Sequence, residues 1–332
     1  MAMAYPKART ALAFVVSFAV TCLFAAFYGG KGGFPAAAAG GPPQARAFAL
    51  RAPAPLPRCI ASLLRDIRAD GFGCTAINWR EWNAKPATQA LIARSGGLTP
   101  TMRAFMEVYE AQAWDSASTP LLPRGCGSGA GSHPAFAART ACLLATLLPA
   151  LGVTLLVDFP SGDQQWAPLL RAQLPELKYL GVDAMPGVVQ RSLELFGAPG
   201  RTEFQLAELG VPGVFATLRA RSGVWGGGDT VAVLSRHVLE HNAAEVGVAF
   251  LRAVNSSGAV YFITTSFTQA ANAPEAMILG GYTAVDIHRP PFSLRRGVLE
   301  WLETPAGVGN DAHSSGPFME LFEVAHMFPE DP

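Results

Sequence analysis

The chain lacks any dense run of basic side chains: Arg295 and Arg296 are the only adjacent pair, and 25 Lys and Arg balance 25 Asp and Glu over 332 residues. Affinity for a polyphosphate backbone comes mainly from clustered cations, so nucleic acid is excluded as a partner. Cysteine is scarce too. Cys22, Cys59, Cys74, Cys126 and Cys142 form no C-x-x-C pair, which excludes the common zinc sites. Acidic residues are missing altogether from the first 65 positions. That bias marks the N-terminus as a targeting or anchoring segment. Half of all residues are apolar, enough for one sizeable core with appendages.

Residues 1–28 are read as a signal anchor. Ala11 to Tyr28 is an 18-residue apolar run behind Lys7 and Arg9. At the helical rise it spans about 27 Å, close to a thin bilayer core. The basic residues on its near side predict a cytoplasmic N-terminus and a luminal remainder, in the Golgi or elsewhere in the secretory pathway. A cleaved signal or an organelle transit peptide is the alternative. Residues 29–57, rich in Gly, Ala and Pro, read as a flexible stalk. Residues 58–124 read as a helical preface, with apolar residues three and four apart in Ile60 to Arg68 and Met102 to Glu110. Pro120 to Pro134 reads as a hinge, and the main domain runs from 125 to 332. In a luminal setting Cys59 and Cys74 could form a disulfide, with burial as free thiols the alternative, and the sequon at Asn255 could be glycosylated.

Within the main domain, strand and helix signals alternate. Val153 to Asp158, Lys178 to Asp183, Thr202 to Leu206, Asp229 to Leu234 and Ala259 to Thr265 read as buried strands, and Met319 to Val324 as a last one. Helices are predicted over Gly187 to Phe196 and Val246 to Val254. The pattern predicts an α/β fold: a doubly wound, mostly parallel, Rossmann-like sheet with helices on both faces. Ligands of such sheets bind outside the carboxyl ends of the strands.

The first strand ends on Asp158 and turns through Gly162 and Asp163 toward Trp166. Asp183, 25 residues beyond Asp158, ends the second strand, where a carboxylate suits ribose hydroxyls. Glu208 follows the third strand, placed for an adenine edge. Asp163 is a candidate for the methionyl ammonium of S-adenosylmethionine (SAM), and Gly162 for close backbone approach. Capping of turns is the structural alternative for these Asp residues. A dinucleotide would need G-x-G-x-x-G, and this turn offers one glycine, so phosphate-free SAM fits better.

These residues resemble class I SAM-dependent methyltransferases whose first motif reads roughly D-x-[GP]-C-G-D-x-x-W. Here that motif is Asp158 to Trp166. Tyr179 to Pro186 is similar to Y-[IL]-G-[IV]-D-x-x-P, Ser235 to His241 to C-R-D-V-L-x-H, and Tyr261 to Phe267 to Y-L-L-T-T-T-[FY]. Gly127 to Ser132, Asn272, Gly280 to Tyr282, Pro290 to Phe292 and Glu303 continue in family order, covering about residues 125 to 303. The resemblance implies the seven-stranded methyltransferase type of sheet and a cofactor site that includes Ser161, Trp166, Ser235 and Arg236. Ser161 stands where Cys is usual, and His237 where Asp is usual.

The chemistry implied is transfer of the cofactor's methyl group to an acceptor, with a base if the acceptor is a hydroxyl. His237 and His241 are the candidate bases, four apart and thus on one face of a helix. Arg236 could bind an acidic acceptor or pair with Glu240, and Trp166 could pack on the cofactor or fill core. Asn272, Tyr282 and Phe292 belong to a segment expected to close over the acceptor. The leading reading is O-methylation of a hydroxyl-bearing acceptor such as a glycan, the glycan resting on luminal location alone. A catalytically inactive SAM-binding scaffold and a nicotinamide-dependent oxidoreductase are the alternatives.

Overall fold

The computed structural model describes residues 49–50, 77–114, 127–268, 270–303 and 317–329. The proposed anchor, most of the stalk, Ile60 to Arg68, and Cys59 and Cys74 lie outside them. No helix among the described residues is long and apolar enough to cross a membrane.

Among the described residues eight strands form one sheet: β1 (Ala49–Leu50), β2 (Leu155–Asp158), β3 (Lys178–Asp183), β4 (Thr202–Leu206), β5 (Val231–Ser235), β6 (Tyr261–Ser266), β7 (Leu299–Leu302) and β8 (Phe318–Glu323). Their order is β1-β7-β8-β6-β5-β2-β3-β4. All run parallel except β8, which is antiparallel to β6 and β7. Without the two-residue β1 this is the expected seven-stranded, mostly parallel, Rossmann-like sheet. β1 corrects the stalk, because two of its residues pair with β7 and cover what would be an open edge.

Both faces of the sheet are buried, as continuous apolar strands require. Leu155, Val157, Leu180, Val182, Val231 and Val233 face one core layer, while Leu156, Tyr179, Ala232 and Leu234 face the other. The first layer is closed by α7 (Val214–Arg221) and α8 (Ala244–Asn255), through Phe215, Leu218, Phe250 and Val254. The second is closed by α4 (Pro134–Ala150), α5 (Ala167–Gln173) and α6 (Pro186–Phe196).

The strands at 178–183 and 202–206 lie where the sequence predicts them, and β2, β5, β6 and β8 shift by one or two residues. Missed were α4, α5, α7 and β7. In α4, Ala and Leu occupy nearly every side, so no apolar stripe stands out from its surroundings. The four residues of β7 are too few to show a period.

The preface is helical as expected: α1 (Trp79–Ala84), α2 (Pro86–Arg94) and α3 (Pro100–Glu110). Pro100 occupies the first turn of α3, and Thr99 caps it by accepting from Met102 N at 3.1 Å. The same hydroxyl donates to Glu208 at 2.6 Å, tying the preface to the end of β4. Trp79, Tyr109, Met185 and Val188 bury a small core of their own between preface and α6. This docking places α3 over the carboxyl ends of the strands.

Candidate active site

A cavity partly open to solvent lies at the carboxyl ends of β2, β3 and β5. β2 is the point at which the sheet reverses its direction of growth, where ligands of open α/β sheets bind. The cavity is lined there by Asp158, Ser161, Gly162, Trp166 and Asp183. Arg236, His237 and His241 follow from the end of β5. The preface contributes Phe105, Tyr109 and Trp114, and the loop before α4 contributes Ser128 and Ser132. The sequence predicts a helical preface and, in Gly127 to Ser132, the loop before α4, but it does not single out Phe105, Tyr109 or Trp114. The aromatic spacing of Phe105 and Tyr109 along one helix face was the available signal.

The turn after β2 is organised by the two acids in different ways. Asp183 faces the cavity, and its carboxylate accepts from Gly162 N and from Met185 N, both at 2.9 Å. Burial pushes its pKa up to about 6, against the pull of those backbone donors. Asp163 is not among the residues that line the cavity. Its Oδ2 accepts from Ser128 N at 3.3 Å, while its own N–H donates to Ser128 Oγ at 2.8 Å. Ser128 Oγ also shares a 2.8 Å hydrogen bond with the Tyr109 hydroxyl. Asp163 therefore latches the 127–132 loop onto the turn, a correction to its expected contact with an ammonium group. Gly162 sits at φ +57° with the space for a Cβ filled by Ser128 Oγ, 2.8 Å away. Gly162→Ala is expected to cost roughly 1–2 kcal/mol from left-handed backbone alone and to loosen the latch. The check is a lowered denaturant midpoint together with weakened SAM binding by calorimetry.

Asp158 is also buried, and burial raises its pKa to about 7 although the Tyr179 hydroxyl donates to it at 2.5 Å and Arg236 lies nearby. Asp158, Asp163 and Asp183 are thus three buried carboxyls held up by desolvation.

The candidate bases do not share a helix. His237 has φ +53°, which breaks the chain after β5, and Leu239–His241 then form a separate 3-10 turn. Their chemistry diverges accordingly. His237 Nδ1 lies 2.8 Å from Glu240 Oε1 and Nε2 lies 2.8 Å from Glu303 Oε2. Burial opposes its charge, but the two carboxylates outweigh burial and hold its pKa up at about 9. An imidazolium with both nitrogens engaged cannot accept a proton at neutral pH, which removes His237 as a base. Arg236 is equally committed. Its Nε bonds Glu303, its terminal nitrogen donates to the Gly131 carbonyl at 2.6 Å, and its guanidinium stacks 5.2 Å from the Trp166 ring centre. The expected Arg236–Glu240 pair is not formed, because Glu240 holds His237.

His241 remains. Its Nδ1 lies 2.6 Å from the Gly281 carbonyl, an acceptor only, so Nδ1 carries the proton and Nε2 the lone pair. No hydrogen bond engages Nε2 among the described residues. Burial lowers the pKa, with the Glu240 charge and the Gly281 carbonyl pulling the other way. His241 is therefore neutral at physiological pH, with a basic nitrogen available in the cavity wall.

Four further expectations are corrected. Glu208 is outside the lining and bonds Thr99. Ser235 is fully buried within β5, likewise outside the lining. Asn272 staples its own segment, donating to the carbonyls of Asp286 and Pro290 at 2.8 and 2.9 Å and accepting from Asp286 N at 2.9 Å. Phe292 is core, packed where a Cβ on Gly247 would meet its ring at 2.8 Å. Tyr282, in contrast, is 62 % exposed beside His241, their ring centres 5.7 Å apart.

No protein-family model matches the chain, and no curated protein matches it by sequence. Among solved structures it is similar to human N-acetylserotonin methyltransferase in complex with SAM, at 12 % identity and TM-score 0.32, over 69 % of this chain and 57 % of that one. It is similar also to a putative methyltransferase from Thermobifida fusca, at 14 % identity and TM-score 0.40, over 76 % and 95 %. A third is an O-methyltransferase of neocarzinostatin biosynthesis, bound to S-adenosylhomocysteine and 1,4-dihydroxy-2-naphthoic acid, at 14 % identity and TM-score 0.34, over 58 % and 59 %. The chain spans less than two thirds of the first and third of these proteins.

Proposed function

We propose that the chain is a SAM-dependent O-methyltransferase whose cofactor is held by Asp183, Asp158, Ser161 and Gly162 and whose base is His241. The observation that carries this reading is one cavity joining two kinds of group. Buried carboxyls stand at the ends of β2 and β3, and a neutral imidazole with an available lone pair stands after β5. The residues fit the cofactor. Carboxyls held up by desolvation are stabilised by a ligand that brings hydroxyl donors and positive charge, and SAM carries both.

When bound, SAM supplies an electrophilic methyl group. The acceptor hydroxyl would give its proton to His241 Nε2 as its oxygen takes the methyl group, and the cofactor would leave as a neutral thioether that keeps the carbon–sulfur electron pair. The Gly281 carbonyl fixes the imidazole tautomer throughout, and the Arg236–Glu303–His237–Glu240 array holds the turn that presents it. Anchoring through residues 1–28, with the domain in the secretory lumen, remains part of this reading. The expectation of a glycan acceptor depends on that location, whereas the cavity wall bears on the acceptor directly.

Asp183→Asn tests the cofactor assignment. Loss of one charge-assisted acceptor is expected to weaken SAM roughly 10- to 100-fold by isothermal titration. Unchanged affinity would remove Asp183 from the site. Binding of NAD in place of SAM would favour the oxidoreductase.

A further inference from the structure

Rings cluster around His241: Phe105, Tyr109 and Trp114 line the cavity with it, and Tyr282 and Phe267 stand next to that lining without being part of it. Trp114 lies 4.5 Å from His241 and Tyr282 lies 5.7 Å from it, centre to centre. Phe105 and Tyr109 pack on Trp114 at 5.9 and 5.5 Å, and Phe267 meets Tyr282 at 6.2 Å. Trp114 is fixed in place, since its indole N–H donates to the Gly280 carbonyl at 3.0 Å while Gly280 N donates to the His241 carbonyl at 2.9 Å. A segment of the preface, the 3-10 turn and the segment after β6 thus meet in one aromatic wall around the base.

Charge is balanced there. Among the described lining residues the cations besides neutral His241 are Arg236 and His237, and both are matched by Glu303 and Glu240. No positive charge is left for a phosphate or carboxylate, and Asp158 and Asp183 would repel one. Two polar side chains of the lining are committed as well: the Asn242 amide donates to the Val238 carbonyl and the Ser132 hydroxyl to the Ser128 carbonyl. A sugar would leave several hydroxyls unpaired against such a wall.

We propose that the acceptor is an uncharged phenol whose ring packs on Trp114 and Tyr282 with its hydroxyl at His241 Nε2. The inference rests on the methyltransferase reading. Proton affinity points the same way. A phenol ionises near pH 10, as tyrosine does, whereas an aliphatic hydroxyl resembles water at about 15.7. A neutral imidazole of lowered basicity can take a proton from the first far more readily than from the second. The transfer balances as above, giving an aryl methyl ether, S-adenosylhomocysteine and a protonated imidazole that returns its proton to solvent.

The test uses the full chain and three probes: catechol, 4-hydroxybenzoate and methyl glucoside. S-adenosylhomocysteine is titrated first, then each probe into the saturated protein, followed by transfer from methyl-labelled SAM. Catechol is expected to bind and be methylated, with 4-hydroxybenzoate weaker and the glucoside inert. Tyr282→Ala removes an exposed ring at little risk to folding, and should weaken catechol about two- to tenfold, with S-adenosylhomocysteine affinity unchanged. Trp114→Phe keeps a ring and should retain most catechol binding. Preference for the glucoside, or catechol binding indifferent to Tyr282→Ala, overturns the phenol and leaves the methyltransferase reading standing. Failure to bind S-adenosylhomocysteine overturns both.

Discussion

Replacing His241 by Asn is expected to slow methyl transfer by about 10²- to 10⁴-fold, the usual worth of a positioned general base, without changing SAM affinity. Asn keeps an N–H that can donate to the Gly281 carbonyl, so the turn is preserved while the lone pair at Nε2 is lost. The comparison is single-turnover rate against cofactor titration on the same samples. The pH profile is a second check. The imidazole pKa lies below the ordinary 6.5, so the rate should rise through that acidic range and stay level across neutrality. A further change is expected near pH 9, where His237 loses its proton. A His241→Asn variant with wild-type rate would mean that the acceptor needs no base from this residue.

Glu303→Gln carries the largest expected effect on stability, about 3–5 kcal/mol, because it strips a counter-charge from two buried cations. The fully buried carboxylate contacts Arg236 Nε, His237 Nε2 and the Thr140 hydroxyl, linking β7, β5 and α4 beneath the cavity. Burial alone would raise its pKa, but Arg236 and His237 bring it down to about 2. A depressed carboxylate contributes stability that is complete above the unfolded value near 4.5 and is lost as pH falls toward about 2. His237, raised to about 9, contributes stability that is complete below 6.5 and is lost as pH rises through about 9. The wild-type protein should therefore be best supported by this array between those limits. In Glu303→Gln the alkaline loss should shrink, since His237 keeps only Glu240. Denaturant midpoints measured across pH decide the matter, and coincident curves for the two proteins would show the array to be uncoupled from stability.

Much of the scaffold is legible in the primary structure because parallel strands buried on two faces must be apolar at every position. Leu155 to Val157, Tyr179 to Val182 and Val231 to Leu234 stand out for that reason, and the turn beyond the first of them is marked by its single glycine at 162. Asp158 and Asp183 are legible from their place at strand ends, Gly162 from the turn and Trp166 from the motif the chain resembles, and topology brings all four to one cavity. Asp163 and Glu208 look the same in sequence. Their partners, Ser128 and Thr99, lie 35 and 109 residues away, and no local pattern announces them.

The amino-acid order, then, determined the sheet, the turn and which residues could meet at its carboxyl edge, since periodicity and glycine placement act over a few residues. Only tertiary structure decided what two similar histidines do. His237 is charged because Glu303, 66 positions on, reaches its ring, and His241 is neutral because its Nδ1 faces the Gly281 carbonyl and its ring is buried. Charge and tautomer depend on groups within a few ångströms in space, and chain distance carries no record of them.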